Sequence, residues 1–189
     1  ENARYRYEYF TNNCASKVRD MLDETLNGQL QKQMTSSSLG NTYRSESVRL
    51  AWPATWMFLG FDLAMSSHGD KPLNRWQDAF IPMRLAQSLS ETKLPNGKAL
   101  VSDVQNVLPH KLPTPPDEMP DWSLQATFIG IALAILFSLA GQKPRLFNAL
   151  TLGFWFISGL IGSALLAVWL ATEHYFVHGN ENILLFSPL

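Results

Sequence analysis

Residues 123–141 read SLQATFIGIALAILFSLAG, residues 142–145 read QKPR, and residues 152–171 read LGFWFISGLIGSALLAVWLA. At about 1.5 Å of rise per residue, each apolar run is long enough as a helix to cross a hydrocarbon core about 30 Å thick. From position 123 to 172 the only charged residues are Lys143 and Arg145, with the helix-stopping Pro144 between them. Residues 122–171 are therefore expected to form a transmembrane helical hairpin. A chain of 189 residues with 16% charge is too small to hide two such helices in a water-soluble core.

The flanks orient the hairpin. Its short loop is basic, whereas Asp117, Glu118 and Asp121 precede the first run and Glu173 follows the second. Basic loops stay in the cytoplasm, so the rest of the chain is expected on the opposite side of the membrane. Trp122, Trp169 and Tyr175 stand where interfacial aromatic anchors belong. Gly130, Ala134 and Ser138 recur every fourth residue, as do Gly159, Ser163 and Ala167. Such stripes permit close helix contact, or are the ordinary small residues of membrane spans.

Whole-chain values conceal this organisation. A net charge of -1, 46% hydrophobic residues and a mean hydropathy of -0.06 resemble an ordinary soluble protein, because the charge is concentrated outside the hairpin. No basic stripe suggests nucleic acid. The single cysteine, Cys14, excludes an intrachain disulfide and a cysteine-based zinc site. The expected division is an α+β domain at 1–108, a proline-rich linker at 109–121, the two spans within 122–171 and an exit segment at 172–189. With no initiator Met and no signal peptide, the chain is expected to be the C-terminal portion of a longer protein whose start is missing.

Upstream of the linker the period of the pattern changes. In residues 4–10, RYRYEYF, Tyr5, Tyr7 and Tyr9 alternate as in a strand. Thr11, Asn12 and Asn13 are turn and capping residues, and from Cys14 onward Cys14, Val18, Met21 or Leu22, and Leu26 share a helical face. Cys14 thus falls in the first turn of a helix directly after a strand. Free backbone N–H groups there favour a thiolate and can receive an oxyanion. Papain-like and NlpC-like thiol enzymes present their nucleophile in this way. A small buried residue packing the helix is the other reading.

The middle of the domain is less legible. Trp52, Trp56, Phe58 and Phe61 lie in apolar surroundings broken by Pro53, as a short helix on the core or as an amphipathic element on the membrane surface. Residues 66–72 read as a loop, 76–89 as a helix broken at Pro82, and Pro95-Asn96-Gly97 as a hairpin turn before Val101, Val104 and Val107. His68, near Asp70, is a candidate base or ligand, or a plain surface histidine; His110 sits in the linker. His174 and His178 are four apart, a spacing that can bind metal, but no third ligand is in evidence and interfacial hydrogen bonding explains them equally.

The run Tyr9-Phe10-Thr11-Asn12-Asn13-Cys14-Ala15-Ser16-Lys17-Val18-Arg19-Asp20 resembles the signature of the Lnb-type periplasmic domain family. Further matches are Thr42-Tyr43-Arg44, Gly60-Phe61-Asp62-Leu63, Asp70-Lys71-Pro72, Ala79-Phe80-Ile81-Pro82 with Leu85, and Thr172-Glu173-His174 with Asn180-Glu181-Asn182-Ile183-Leu184. They run in order through most of the chain. The resemblance implies a permuted NlpC/papain-like, thiol-dependent lipoprotein N-acyltransferase, which moves an acyl chain from a phospholipid donor to the α-amine of a lipoprotein's N-terminal cysteine. It implies Cys14 as nucleophile, Asn13 and His174 beside it in the catalytic set, and Asn180, Asn182, Arg44 and Asp70 as substrate-binding residues. No cofactor and no metal are expected. The histidine partner would stand in a Gly-His segment upstream of residue 1. An NlpC-like cell-wall peptidase or amidase, and a non-catalytic membrane-anchored module with a structural Cys14, remain the alternatives.

Overall fold

The computed structural model describes residues 5–105, 107, 108, 111 and 113–186. Arg4 of the tyrosine run, and Pro109 and His110 of the linker, lie outside them. The described residues are 61% helical and hold no strand, only three isolated bridges. Two compact units emerge, Glu1–Glu46 with Asp70–Thr114, and Ser47–Gly69 with Pro115–Leu189.

In the first unit, helix α1 (Cys14–Thr25) is opened by a reciprocal cap. The Asn13 side chain accepts from the Ser16 N–H at 2.9 Å, and the Asn13 N–H donates to the Ser16 hydroxyl at 2.9 Å. The helix closes through Asn27 and Gly28, both at positive φ, where glycine bears the left-handed conformation without strain. Helix α2 (Gln29–Thr35) then turns Leu30 and Met34 into a core with Ala79 and Leu85, ringed by Leu22, Leu26, Trp76, Leu89 and Leu100. Past the first turn of α3 (Tyr43–Ala51), the chain returns to this unit with α5 (Arg75–Asp78) and α6 (Pro82–Glu91). The expected interruption at Pro82 is present: proline takes the first position of α6, where its missing N–H costs nothing. Buried polar pairs knit the unit. Glu46, 1% exposed, accepts two bonds from the Arg84 guanidinium at 2.8 and 3.1 Å. The Asn41 amide donates to Asp78 at 2.8 Å.

The expected α+β, papain-like sheet is not formed. A strand needs a neighbouring strand to take its backbone groups along its length, and, among the described residues, 5–10 pair only through the isolated bridge of Glu8 with Asn12. Instead the run doubles back: Glu8 and Asn12 exchange backbone bonds at 3.0 and 3.1 Å, and the Glu8 carboxylate accepts from the N–H groups of Phe10 and Thr11. Tyr5, Tyr7 and Tyr9 stay exposed and pack on one another, while Phe10 packs against both Tyr43 and Phe80. The turn at Pro95-Asn96-Gly97 is present, with Gly97 at φ 79, but it closes a single bridge between Lys93 and Ala99. Val104 and Val107 beyond it are exposed.

In the second unit, Val48, Ala51 and Phe58, the last from α4 (Thr55–Ala64), form a small core with Met57 and Trp122. Trp122 leads into α7 (Ser123–Ala140), and Pro144 opens α8 (Pro144–Ala171). Both helices are long and apolar enough to cross a membrane. Only 6% of α7 and 17% of the most apolar part of α8 are buried, whereas the core helix of a soluble protein would be mostly covered. The helices meet near their loop, where Phe137 lies edge-on to Phe147 and Phe154. The stripes of small residues do not pack. A Cβ added at Gly130 or Gly159 would meet nothing within 4 Å, and the buried side of α8 runs instead through Ser158, Gly162 and Leu165. After α8, the short turns Tyr175–Val177 and Glu181–Leu184 fold back against it.

Candidate functional site

Cys14 is the first residue of α1 and is solvent-exposed. In this position its N–H and that of Ala15 have no acceptor within the helix. Asn13 holds the junction rigid. Besides capping α1, its amide donates to the carbonyls of Tyr9 at 2.8 Å and Phe80 at 2.9 Å, so one buried side chain ties the approach to Cys14, the helix and the start of α6 together. Arg19, one turn further on, donates to the Trp76 carbonyl at 2.6 Å and lies over the Trp76 ring at 3.9 Å, fixing α1 to α5.

Of the α1 face read from the spacing, Leu22 and Leu26 pack on the core, while its first two turns are turned outward. Ala15, Ser16 and Arg19 are buried, whereas Val18 and Met21 are exposed along with Cys14. The shift of about 100°, one residue of helix, arises because Asn13 and Arg19 must reach partners near α5 and α6. Its chemical result is an apolar groove of about 280 Å³ between α1 and α6, lined by Cys14, Ala15 and Val18 on one side and Pro82, Leu85, Ala86 and Leu89 on the other. The signal was present in the sequence: 82, 85, 86 and 89 follow the i, i+3, i+4, i+7 rule of a helical face. Nothing in it indicated that this face stays open.

Tyr7 also belongs to this neighbourhood. Desolvation, followed by the negative forms of Cys14, Tyr5, Tyr9 and Glu8, holds its hydroxyl above the ordinary value of 10.0. Alternation placed Tyr7 on a strand face; the doubled-back chain brings its phenol within electrostatic range of the thiol. Arg44 and Asp70 form a side-on ion pair, at 2.6 Å from Nε and 3.1 Å from Nη2. The carboxylate thereby answers the guanidinium that the sequence offered for substrate.

The remaining expected site residues belong to the second unit. Asn180, 3% exposed, and Asn182 both donate to the Leu63 carbonyl, at 2.7 and 3.0 Å, clasping the end of α4. His174 is exposed and leads into the turn Tyr175–Val177, while His178 Nε2 lies 3.0 Å from the Thr172 carbonyl. His68 Nδ1 lies 2.9 Å from the Ser66 hydroxyl, which itself donates to the Phe176 carbonyl at 3.1 Å. The Ser67 hydroxyl donates to Glu181 at 2.7 Å. Among the described residues, no three of His, Cys, Asp and Glu are grouped to hold a metal ion.

No family model matches this chain, and no curated protein or solved structure matches it either.

Proposed function

We propose that this chain is the membrane-anchored, thiol-bearing part of a lipoprotein N-acyltransferase of the Lnb-type family, held in the bacterial inner membrane with its first unit in the periplasm. One observation carries the reading: an exposed cysteine at a capped helix N-terminus opens directly onto an apolar groove. An acyl chain gains about 0.8 kcal/mol for each methylene it buries in such a groove. A peptide backbone laid there would leave amide groups unpaired, which counts against a peptidase.

In the first half-reaction the Cys14 thiolate attacks the ester carbonyl of a phospholipid. The N–H groups of Cys14 and Ala15 receive the oxyanion. Collapse breaks the bond to the glycerol oxygen, which takes up a proton and leaves as a lysophospholipid, and a thioester remains on Cys14. The α-amine of the lipoprotein's terminal cysteine then attacks that carbonyl. The C–S bond breaks, an amide forms, the amine surrenders a proton to the base and the thiolate is restored. The base in this reading comes from the upstream Gly-His segment that the resemblance implies. Asn13 acts as a positioning residue, and Asn180 and Asn182 hold the exit segment in place. No cofactor enters the chemistry.

The test is mass spectrometry of the complete protein incubated with phospholipid alone. A fatty acyl group should appear on Cys14 and be released by hydroxylamine, as a thioester is. Cys14→Ser should lose turnover with an unchanged melting temperature, because oxygen is a far weaker nucleophile there and the swap barely changes volume. Wild-type turnover in Cys14→Ser would overturn the covalent mechanism and make Cys14 a structural thiol.

A further inference from the structure

Helix α4 exposes a face that water does not favour. Trp56 is 76% exposed and Leu59 42%, and helical spacing sets Gly60 and Leu63 beside them, opposite the buried Phe58. Asp62, the only charged residue of α4, falls off this face.

The position of the helix indicates what covers that face. Near its start, the Phe58 ring stacks on Trp122 at 5.1 Å, and Trp52 meets Trp122 edge-on at 5.8 Å. Trp122 is the residue immediately before α7. At the other end, the Leu63 carbonyl is held by Asn180 and Asn182, which follow the end of α8. A short turn at 141–143 joins α7 to α8, so the start of α7 and the end of α8 lie toward the same side of the hairpin, α8 being the longer helix. One end of α4 is thus fixed to one span and the other end to the segment leaving the second span. Its 10 residues extend about 15 Å, enough to lie across two helices whose axes are about 8–10 Å apart.

We infer that α4 is an interfacial helix, lying in the headgroup region of the bilayer with Trp56 and Leu59 in the lipid. The inference rests on the reading that α7 and α8 span that bilayer. Phe58 of α4 stacks on Trp122 at the entry to α7, which sets the exposed Trp56 and Leu59 beside the spans, and tryptophan is the side chain best suited to the boundary. α4 would thereby keep the second unit at a set depth and limit its tilt.

The test places single bimane labels on the full chain in a Cys14→Ser background, reconstituted in phosphatidylethanolamine–phosphatidylglycerol vesicles. Labels go to Trp56→Cys and Leu59→Cys, with Leu160→Cys in α8 and Asn96→Cys in the first unit as references. Brominated phospholipid should quench positions 56, 59 and 160 and leave 96 bright, and aqueous iodide should quench 96 alone. Iodide quenching at 56 and 59 with lipid quenching at 160 would overturn the interfacial helix while leaving the spans intact. Protection at 56 and 59 from both quenchers would show a protein partner or second copy on that face, and would overturn it too. A Leu160 label that lipid does not quench would remove the spanning reading and this inference together.

Discussion

The first unit keeps charge inside and the second keeps apolar surface outside. Around α1, α2 and α6, Glu46 and Arg84 meet in a buried bidentate pair, and Asp78 is held by Asn41. In the second unit, Phe128, Ile135, Phe156 and Leu170 stand exposed on α7 and α8, and side chains clasp carbonyls, from Asn180 and Asn182 to Leu63 and from Ser66 to Phe176. Water can surround the first arrangement at little cost. The second needs a medium that accepts bare hydrocarbon and a fold that leaves no backbone group unpaired. Each surface therefore reports the solvent its unit requires.

The contrast can be broken most forcefully at Glu46. Glu46→Gln removes the buried carboxylate charge while Arg84 keeps Asp78 at 3.9 Å, so it should cost the first unit about 3 kcal/mol. Hydrogen exchange of the detergent-solubilised chain should register the loss in α2 and α6 and leave α7 and α8 unchanged. A uniform loss across both units would show that they unfold as one body.

Asn13→Ala tests the junction beneath Cys14. It removes a helix cap and two amide donors from buried carbonyls, at a cost of about 2 kcal/mol. Turnover should fall with faster exchange at the start of α1, and Asn13→Ser, which keeps a cap but not the amide donors, should recover only part of both. Lost turnover with native exchange throughout α1 would assign Asn13 a chemical role in place of a positioning one.

The smallest effect belongs to the exit segment. The hydrogen bond from Ser67 holds the Glu181 carboxyl below its ordinary value of 4.5. A depressed carboxyl contributes stability that is complete above that ordinary value and is lost as pH falls through the lower folded value. Exchange of residues 176–186, corrected for intrinsic rates, should therefore speed up in this acid range, and Glu181→Gln should abolish the pH dependence. No change in the wild-type segment would mean that the Asn180 and Asn182 clasp alone holds it.

Legibility followed the range of the interactions. Asn13 and Ser16 form a cap from neighbours three apart, Pro82 starts a helix through its own ring, and Gly97 turns through its own φ, so each was readable locally. The tyrosine run misled because alternation is necessary for a strand but not sufficient. Its backbone needed a partner strand, and the Glu8 carboxylate supplied a nearer acceptor. The site divided along the same line. Cys14 was legible as a helix-start thiol, whereas Arg44, Asn180 and Asn182 proved to be engaged by Asp70 and Leu63, partners from distant parts of the chain.

The sequence by itself determined the two membrane-length helices, the break between them, the capped start of α1 and the identity of the thiol, because helix propensity, capping and hydropathy act within a few residues. Tertiary structure alone decided which face of α1 is covered, that the groove beside Cys14 stays open, and that α4 sits at the entry to α7. Those outcomes depend on pairs such as Asn13 with Phe80 and Asn180 with Leu63, 67 and 117 residues apart. Local periodicity can rank the faces of a helix by polarity, but which one is buried depends on the partners that the rest of the chain brings to it.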